Sequence, residues 1–301
     1  MLSTFVVPPP LRPGDRIRII APSSPFDRTL FFRGLGFLSE RYHVELGAGV
    51  LDRRGFLAGD DETRLASLKA ALADDGVRAV LAARGGYGAG RIVHRVRWDA
   101  LRSAPKWIIG FSDVTALHVE AQGVGVCSMH AENAAGLGRG DAVARAHWID
   151  ALERPTAVRT FPGLTVWASG SARGPLVGGN LTVLFTAHAA GRLRLPEGCI
   201  LALEDVTEAS YRIDRMLTAL LVSRALDRVA GVVLGDFTDC SAGVHRVAVE
   251  AVLAERLGTL GVPVLTGLPF GHGRPNVPLP LGMPAHLDAN AGSVVIGSAS
   301  A

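Results

Sequence analysis

Apolar and polar positions alternate in blocks through the first half of the chain. Residues 16–21, Arg-Ile-Arg-Ile-Ile-Ala, follow the turn residues Pro13-Gly14-Asp15 and read as a first strand. From Asp60 onward the apolar residues Leu65, Leu68 and Leu72 recur at i, i+3 and i+7, which predicts a helix capped by Asp60 and stopped at Gly76 by a left-handed residue. Residues 77–83 form a β-rich apolar run directly behind it, 88–101 fit a further helix, 107–111 a strand and 114–122 another helix. Strands alternating with helices predict a parallel sheet with both faces covered. From Arg154 the texture changes to Pro, Gly and Ser, as between domains. Beyond it lie short strand-like runs at 199–203, 229–234, 262–265 and 293–296 and one amphipathic helix at 211–221. The chain therefore reads as α/β: an N-terminal flavodoxin/Rossmann-like parallel-sheet domain over 1–154, a linker over 155–175, and a smaller β-rich domain over 176–301.

Composition narrows the function classes. With 48% hydrophobic and 20% charged residues the chain has the make-up of a folded globular protein. No apolar run reaches the roughly 18 residues of a membrane span. The first ten residues lack the basic and apolar segments of a secretory signal, so a cytoplasmic location is expected. The net charge is only +3, Lys69 and Lys106 are the only lysines, and the arginines are scattered among acids, which argues against nucleic-acid or membrane-surface binding. Cys127, Cys199 and Cys240 are odd in number and far apart, so neither a disulfide framework nor a CxxC metal pair is expected.

Several common site motifs fail on spacing. The cluster Arg84-Gly85-Gly86-Tyr87-Gly88-Ala89-Gly90-Arg91 lies between a strand and a helix, yet a GxGxxG begun at Gly86 would need glycine where Arg91 stands. Neither lysine follows a glycine as a phosphate loop requires, and no HExxH occurs. A candidate nucleophile survives this elimination. In Gly110-Phe111-Ser112-Asp113, Ser112 ends an apolar strand and opens a helix, the tight turn of a nucleophile elbow, with the Asp113 N–H in the first helical turn facing any oxyanion beside it. An ordinary Ser-Asp helix cap fits the local pattern too, and Val114 breaks the GxSxG hydrolase motif.

Taken together in chain order, the motifs resemble peptidase family S66, the L,D-carboxypeptidases and microcin-immunity peptidases. They are Leu11-Arg12-Pro13-Gly14-Asp15, Ala21-Pro22-Ser23-Ser24, Arg84 to Gly88, Gly110 to Asp113, Gly178-Gly179-Asn180-Leu181, Leu203-Glu204-Asp205, Tyr211 to Leu217 and Phe270-Gly271-His272. The resemblance implies a Ser-Glu-His triad of Ser112 as nucleophile, Glu204 as orienting carboxylate and His272 as general base. It also implies an oxyanion hole from the backbone N–H groups of Gly86 and Asp113. The activity implied is removal of a terminal D-alanine from a muropeptide tetrapeptide during peptidoglycan recycling, without metal or cofactor, by a homodimer.

Some assignments stay open on residue pattern alone. Asp205 competes with Glu204 as the carboxylate, and Arg84 and Tyr87, flanking the glycine loop, could hold a substrate carboxylate, although Arg84 could equally pair with a structural acid. Asp214 and Arg215 lie in a family motif on a helix, where an ion pair or an interface role is expected rather than catalysis. Where the family often has His-Gly-Pro, this chain has His130-Ala131-Glu132, which bears on substrate choice. The rival readings are an immunity-type peptidase acting on peptidyl or aminoacyl nucleotides and a non-catalytic peptide or small-molecule binder.

Overall fold

The computed structural model describes residues 5–297. It divides into two compact units, 5–155 with 277–280, and 156–276 with 281–297. In the first unit β1 (Arg16–Ile20), α1 (Arg28–Ser39), β2 (His43–Leu46), α2 (Asp61–Ala73), β3 (Val77–Ala82), α3 (Asp99–Ser103), β4 (Trp107–Gly110), α4 (Thr115–Gly123), β5 (Ser128–His130), α5 (Ala134–Leu137) and α6 (Ala142–Glu153) follow one another. The five strands pair in parallel in the order β5-β4-β3-β1-β2. This is the flavodoxin-type doubly wound order, whose direction of winding reverses between β1 and β3, and ligands of such sheets bind beyond the strands' carboxyl ends near that reversal. All four residues of β4 are buried, as a strand covered on both faces must be. Ile17, Ile19, Leu81, Trp107 and Ile109 are wholly buried, each large apolar side chain contributing about 1.5–3 kcal/mol.

Local chemistry explains the helix boundaries. Asp60 is extended and its carboxylate accepts from the Thr63 N–H, so α2 starts where the cap was expected. Its end differs from the expectation. Asp74 turns the chain out of the helix and accepts the Gly76 N–H on its own side chain at 3.0 Å, so Gly76 needs no left-handed conformation. Lys106 Nζ also donates to the Leu72 and Asp74 carbonyls at 2.8 Å, supplying the donors that a helix end lacks. The helix expected over 88–101 is a correction as well: the segment folds as 3-10 turns at Ala89–Arg91 and Val93–Arg95, followed by the short α3. The Ala89 N–H is drawn off to the Asp113 carboxylate at 2.8 Å, and Ile92 at φ −120° breaks the helical run between the two turns.

The second unit carries β6 (Arg159–Phe161), β7 (Thr165–Ala168), β8 (Ser171–Asn180), α7 (Leu181–Ala189), β9 (Cys199–Val206), α8 (Ser210–Val222), β10 (Val229–Thr238), α9 (Val249–Gly258) and β11 (Val264–Thr266). After β12 (Leu279–Leu281), placed beside β5 of the first sheet, come β13 (Pro284–Asp288) and β14 (Ser293–Ile296). The sheet order is β6-β14-β13-β8-β9-β10-β11-β7, with β8 to β11 parallel and the outer strands antiparallel. The Pro- and Gly-rich stretch read as a linker thus contributes β6, β7 and the start of β8 to this sheet, because three- and four-residue strands tolerate flanking turn residues. The unit is mixed α/β, with three helices among its described residues. No helix among the described residues is long and apolar enough to cross a membrane.

Candidate active site

Ser112 is the first residue after Phe111, beyond the end of β4, and sits at φ +65°. A side chain at positive φ costs of the order of 1–2 kcal/mol, strain that persists where surrounding structure enforces it. The enforcing contacts lie beneath the turn. The Gly110 carbonyl accepts from the Ala131 N–H at 3.1 Å and bonds to His118 Nε2 at 2.9 Å. The other His118 nitrogen, Nδ1, lies 2.9 Å from Ser128 Oγ. Since a carbonyl can only accept, His118 carries its proton on Nε2, and Nδ1 accepts a hydrogen bond from the Ser128 hydroxyl. α4 is thereby tied to both β4 and β5. The departing tripeptide at 130–132 is part of this footing through Ala131, and Trp148 Nε1 donates to the Glu132 carbonyl at 3.0 Å.

Burial lowers the His118 pKa from 6.5 to about 4. Between those values an unfolded chain binds a proton that the native protein refuses, so the stability contribution is whole above pH 6.5 and lost as pH falls toward 4, about 3 kcal/mol in all. In urea titrations the midpoint of the wild-type protein is expected to fall more steeply from pH 7 to pH 4.5 than that of His118→Gln. Parallel slopes would exclude this assignment.

Above the turn the loops after β1 and β3 interlock. Ser24 N–H donates to the Gly85 carbonyl at 3.2 Å, and Tyr87 N–H to Ser24 Oγ at 3.1 Å. Position 85 has to be glycine because a Cβ there would lie 2.8 Å from Ser112 Cβ. The buried Arg64 guanidinium donates to the Pro22 carbonyl and to the Gly88 carbonyl at 2.9 Å, and pairs with Asp61. Asp113 completes the tie through the Ala89 N–H. Burial pushes the Asp113 carboxyl above the usual range, with the Ala89 N–H and the Arg64 charge opposing. Two of these struts, Arg64 and the Asp113 side chain, were not singled out by sequence reasoning, since a lone arginine on an amphipathic helix reads as a surface residue. No described residue accepts a hydrogen bond from the backbone N–H of Gly86 or of Asp113.

The segments after β1, β2 and β3 line a groove of about 400 Å³ whose walls include Ser24, Phe26, Asp27, Arg53, Phe56 and Arg84. Arg84 Nη1 donates to the Pro25 carbonyl at 2.7 Å, and no described carboxylate lies in ion-pair range of it. Asp27 is spent on the N-terminus of α1, accepting the Leu30 N–H at 2.9 Å. Tyr87 is exposed, its ring 5.6 Å from that of Phe56.

In the second unit β9 sends its two neighbouring carboxylates to different partners. Neighbouring residues on a strand face opposite sides. Asp205 accepts from Asn180 Nδ2 at 2.9 Å and from the Thr182 N–H and Oγ1 at 3.0 and 2.8 Å, pinning the start of α7. Glu204, wholly buried, meets His272 instead: Oε2 lies 2.7 Å from Nδ1. Burial raises the Glu204 carboxyl and the imidazole contact opposes the rise. With Nδ1 held by a carboxylate, the ring presents Nε2 for proton transfer. Gly271 stands at φ +118°, and a Cβ there would lie 2.9 Å from Glu204 Oε2, so only glycine lets the turn approach β9. Asp214 forms an ion pair with Arg256 of α9 at 2.8 Å, and Arg215 lies over the Tyr211 ring at 5.4 Å. No group of three His, Cys, Asp or Glu side chains among the described residues could hold a metal ion.

Comparison with known proteins gives concordant matches. Residues 17–131 match the model of the LD-carboxypeptidase N-terminal domain and 173–287 that of the LD-carboxypeptidase C-terminal domain. A protein of Synechocystis sp. named "Putative carboxypeptidase" is 41% identical over 96% of this chain and 97% of its own. The murein tetrapeptide carboxypeptidase of Pseudomonas aeruginosa is 35% identical over 91% of this chain and 94% of its own. The crystal structure of muramoyltetrapeptide carboxypeptidase from Oxalobacter formigenes superposes with a TM-score of 0.84 at 30% identity, covering 94% of this chain and 99% of that one.

Proposed function

Since the chain belongs to the LD-carboxypeptidase family, peptidase family S66, we propose that it is a serine L,D-carboxypeptidase that removes the terminal D-alanine from murein tetrapeptides in the cytoplasm during peptidoglycan recycling. The observation that supports this most is the 2.7 Å hydrogen bond between buried Glu204 and His272 Nδ1. A wholly buried carboxylate on an imidazole is the orienting half of a serine-hydrolase triad. Ser112, on its strained strand-to-helix turn, supplies the nucleophile.

In this reading His272 Nε2 takes the Ser112 proton as Oγ attacks the carbonyl of the diamino acid residue. The backbone N–H groups of Gly86 and Asp113 receive the negative oxygen of the tetrahedral intermediate, a pair of donors worth about 10²- to 10³-fold each in rate. The imidazolium then gives its proton to the departing D-alanine nitrogen, leaving an acyl ester on Ser112. Water, deprotonated by the same nitrogen, attacks that ester; Ser112 Oγ is expelled and takes the proton back from the imidazolium, and the tripeptide leaves as a carboxylic acid that gives its own proton to solvent. The deciding experiment incubates the protein with a murein tetrapeptide and follows free alanine of either hand. Release from the tetrapeptide, and none from a peptide ending in L-alanine, is expected; no release from either would refute the assignment.

Arg84 is assigned to the substrate's terminal carboxylate, because its guanidinium is held in place by a carbonyl and has no acid of its own in ion-pair range. A charge-assisted hydrogen bond contributes roughly 1.5–3 kcal/mol, so Arg84→Ala should raise KM about 10- to 100-fold with little change in kcat. Saturation kinetics on the tetrapeptide measure the split, and an unchanged KM would move the carboxylate site elsewhere.

A further inference from the structure

We propose that Asp236 is a positioning residue for His272, gripping the turn on either side of the imidazole and holding a negative charge beside it. The proposal rests on the reading of His272 as general base. Asp236 lies on β10, next to the strand that carries Glu204. Its backbone N–H donates to the Phe270 carbonyl at 2.9 Å. Its carboxylate packs against Gly273 so closely that a Cβ on Gly273 would fall 2.2 Å from Asp236 Oδ2. One residue thus holds positions 270 and 273, with Gly271 and His272 between them. Gly235 lets the strand come this near, since a Cβ there would lie 2.4 Å from the Phe270 oxygen. A third hold is the Gly271 N–H on Asn276 Oδ1 at 3.1 Å.

The side chain does more than tie the loop. Of the acids on the strands beneath the turn, Glu204 on β9 bonds the imidazole, Asp205 is turned to α7, and Asp236 on β10 interacts with the charge of His272. Arg274, in the same turn, is exposed. Partial burial pushes the Asp236 carboxyl up, while the Gly273 N–H and a positive His272 pull it down. Linkage makes that last effect mutual: an ionised Asp236 favours the imidazolium, so it raises the pKa of the base. Holding the ring to a fraction of an ångström matters because a displacement of about 1 Å costs on the order of 10²-fold in rate.

Two variants separate the grip from the charge. Asp236→Asn keeps a side chain of the same size packed against Gly273 and loses the charge, whereas Asp236→Ala loses both. The His272 pKa is read by NMR on the full-length protein labelled at its histidines, with the signal assigned by its loss in His272→Ala. In Asp236→Asn the pKa is expected to fall by about 0.5–1 unit, the acid limb of kcat/KM to move with it, and kcat to stay within about threefold of wild type. In Asp236→Ala kcat is expected to drop at least about tenfold with KM unchanged. An imidazole pKa identical in wild type and Asp236→Asn, or equal kcat in the two variants, overturns the proposal. Full turnover in His272→Ala would instead remove the general-base reading, while the NMR comparison would still report whether Asp236 acts on the imidazole.

Discussion

Replacing Ser112 by alanine is expected to lower kcat/KM on a murein tetrapeptide by at least about 10⁴-fold while the protein still folds and binds its substrate. The size of the loss follows from what the hydroxyl alone supplies, a covalent route that divides amide hydrolysis into two lower barriers. The remaining rate would come from substrate held against the oxyanion donors. The turn itself adds a second, independent readout. At φ +65° an alanine keeps the Cβ strain, about 1–2 kcal/mol, whereas glycine removes it and gives back roughly 0.5–1 kcal/mol in unfolded-chain entropy. Ser112→Gly should therefore be at least as stable as Ser112→Ala by thermal melting, and equally inactive. A fluorophosphonate should label the wild type and neither variant. Appreciable turnover in both variants would remove Ser112 from the chemistry.

The first unit was readable from its sequence because its signals are local. The Asp60 cap and the Leu65-Leu68-Leu72 stripe fix α2 within a few residues, and the apolar run at 107–111 can only be a covered strand. The helix expected over 88–101 failed for a non-local reason: the Ala89 N–H goes to Asp113, 24 residues away, and no periodicity announces that. The segment at 155–175 failed because turn residues mark chain reversals without telling whether the reversals join strands or domains.

The candidate site was legible unevenly for the same reason. The position of Ser112 at a strand-to-helix turn could be read from Gly110-Phe111-Ser112-Asp113, but its positive φ could not. The choice between Glu204 and Asp205 came from resemblance alone; the physical reason, opposite faces of β9 serving different partners, needs coordinates. His118 stands in no motif that the sequence completes. Its work in bonding the Gly110 carbonyl and Ser128 depends on the pairing of β4 with β5, which a linear pattern does not contain. Asp236 gave no signal, being one acid after a glycine in an apolar run.

The second large effect is expected at Glu204. Glu204→Gln preserves volume and a hydrogen-bonding partner for His272, yet kcat should fall about 10³- to 10⁴-fold. The carboxylate can only accept, so it draws the imidazole proton to Nδ1 and keeps the ring's lone pair on Nε2, the atom that takes the serine proton in the proposed reaction. A glutamine can offer its amide N–H to Nδ1 instead, which moves the ring proton to Nε2 and blocks the transfer. It also removes the buried negative charge that steadies the imidazolium formed on the way to the tetrahedral intermediate. The sign of the accompanying titration follows. Loss of that charge lowers the His272 pKa, so the residual activity of Glu204→Gln should extend to lower pH than that of the wild type. Stability should move the other way from activity. The native environment raises the Glu204 pKa through burial, so the ionised form is held there at a cost that increases as pH rises through the ordinary carboxylate range. A neutral glutamine is free of that cost, and its melting temperature should match or exceed that of the wild type at neutral pH. A variant with wild-type kcat, or one whose loss of activity tracks a loss of fold, would take Glu204 out of the proton-transfer chain.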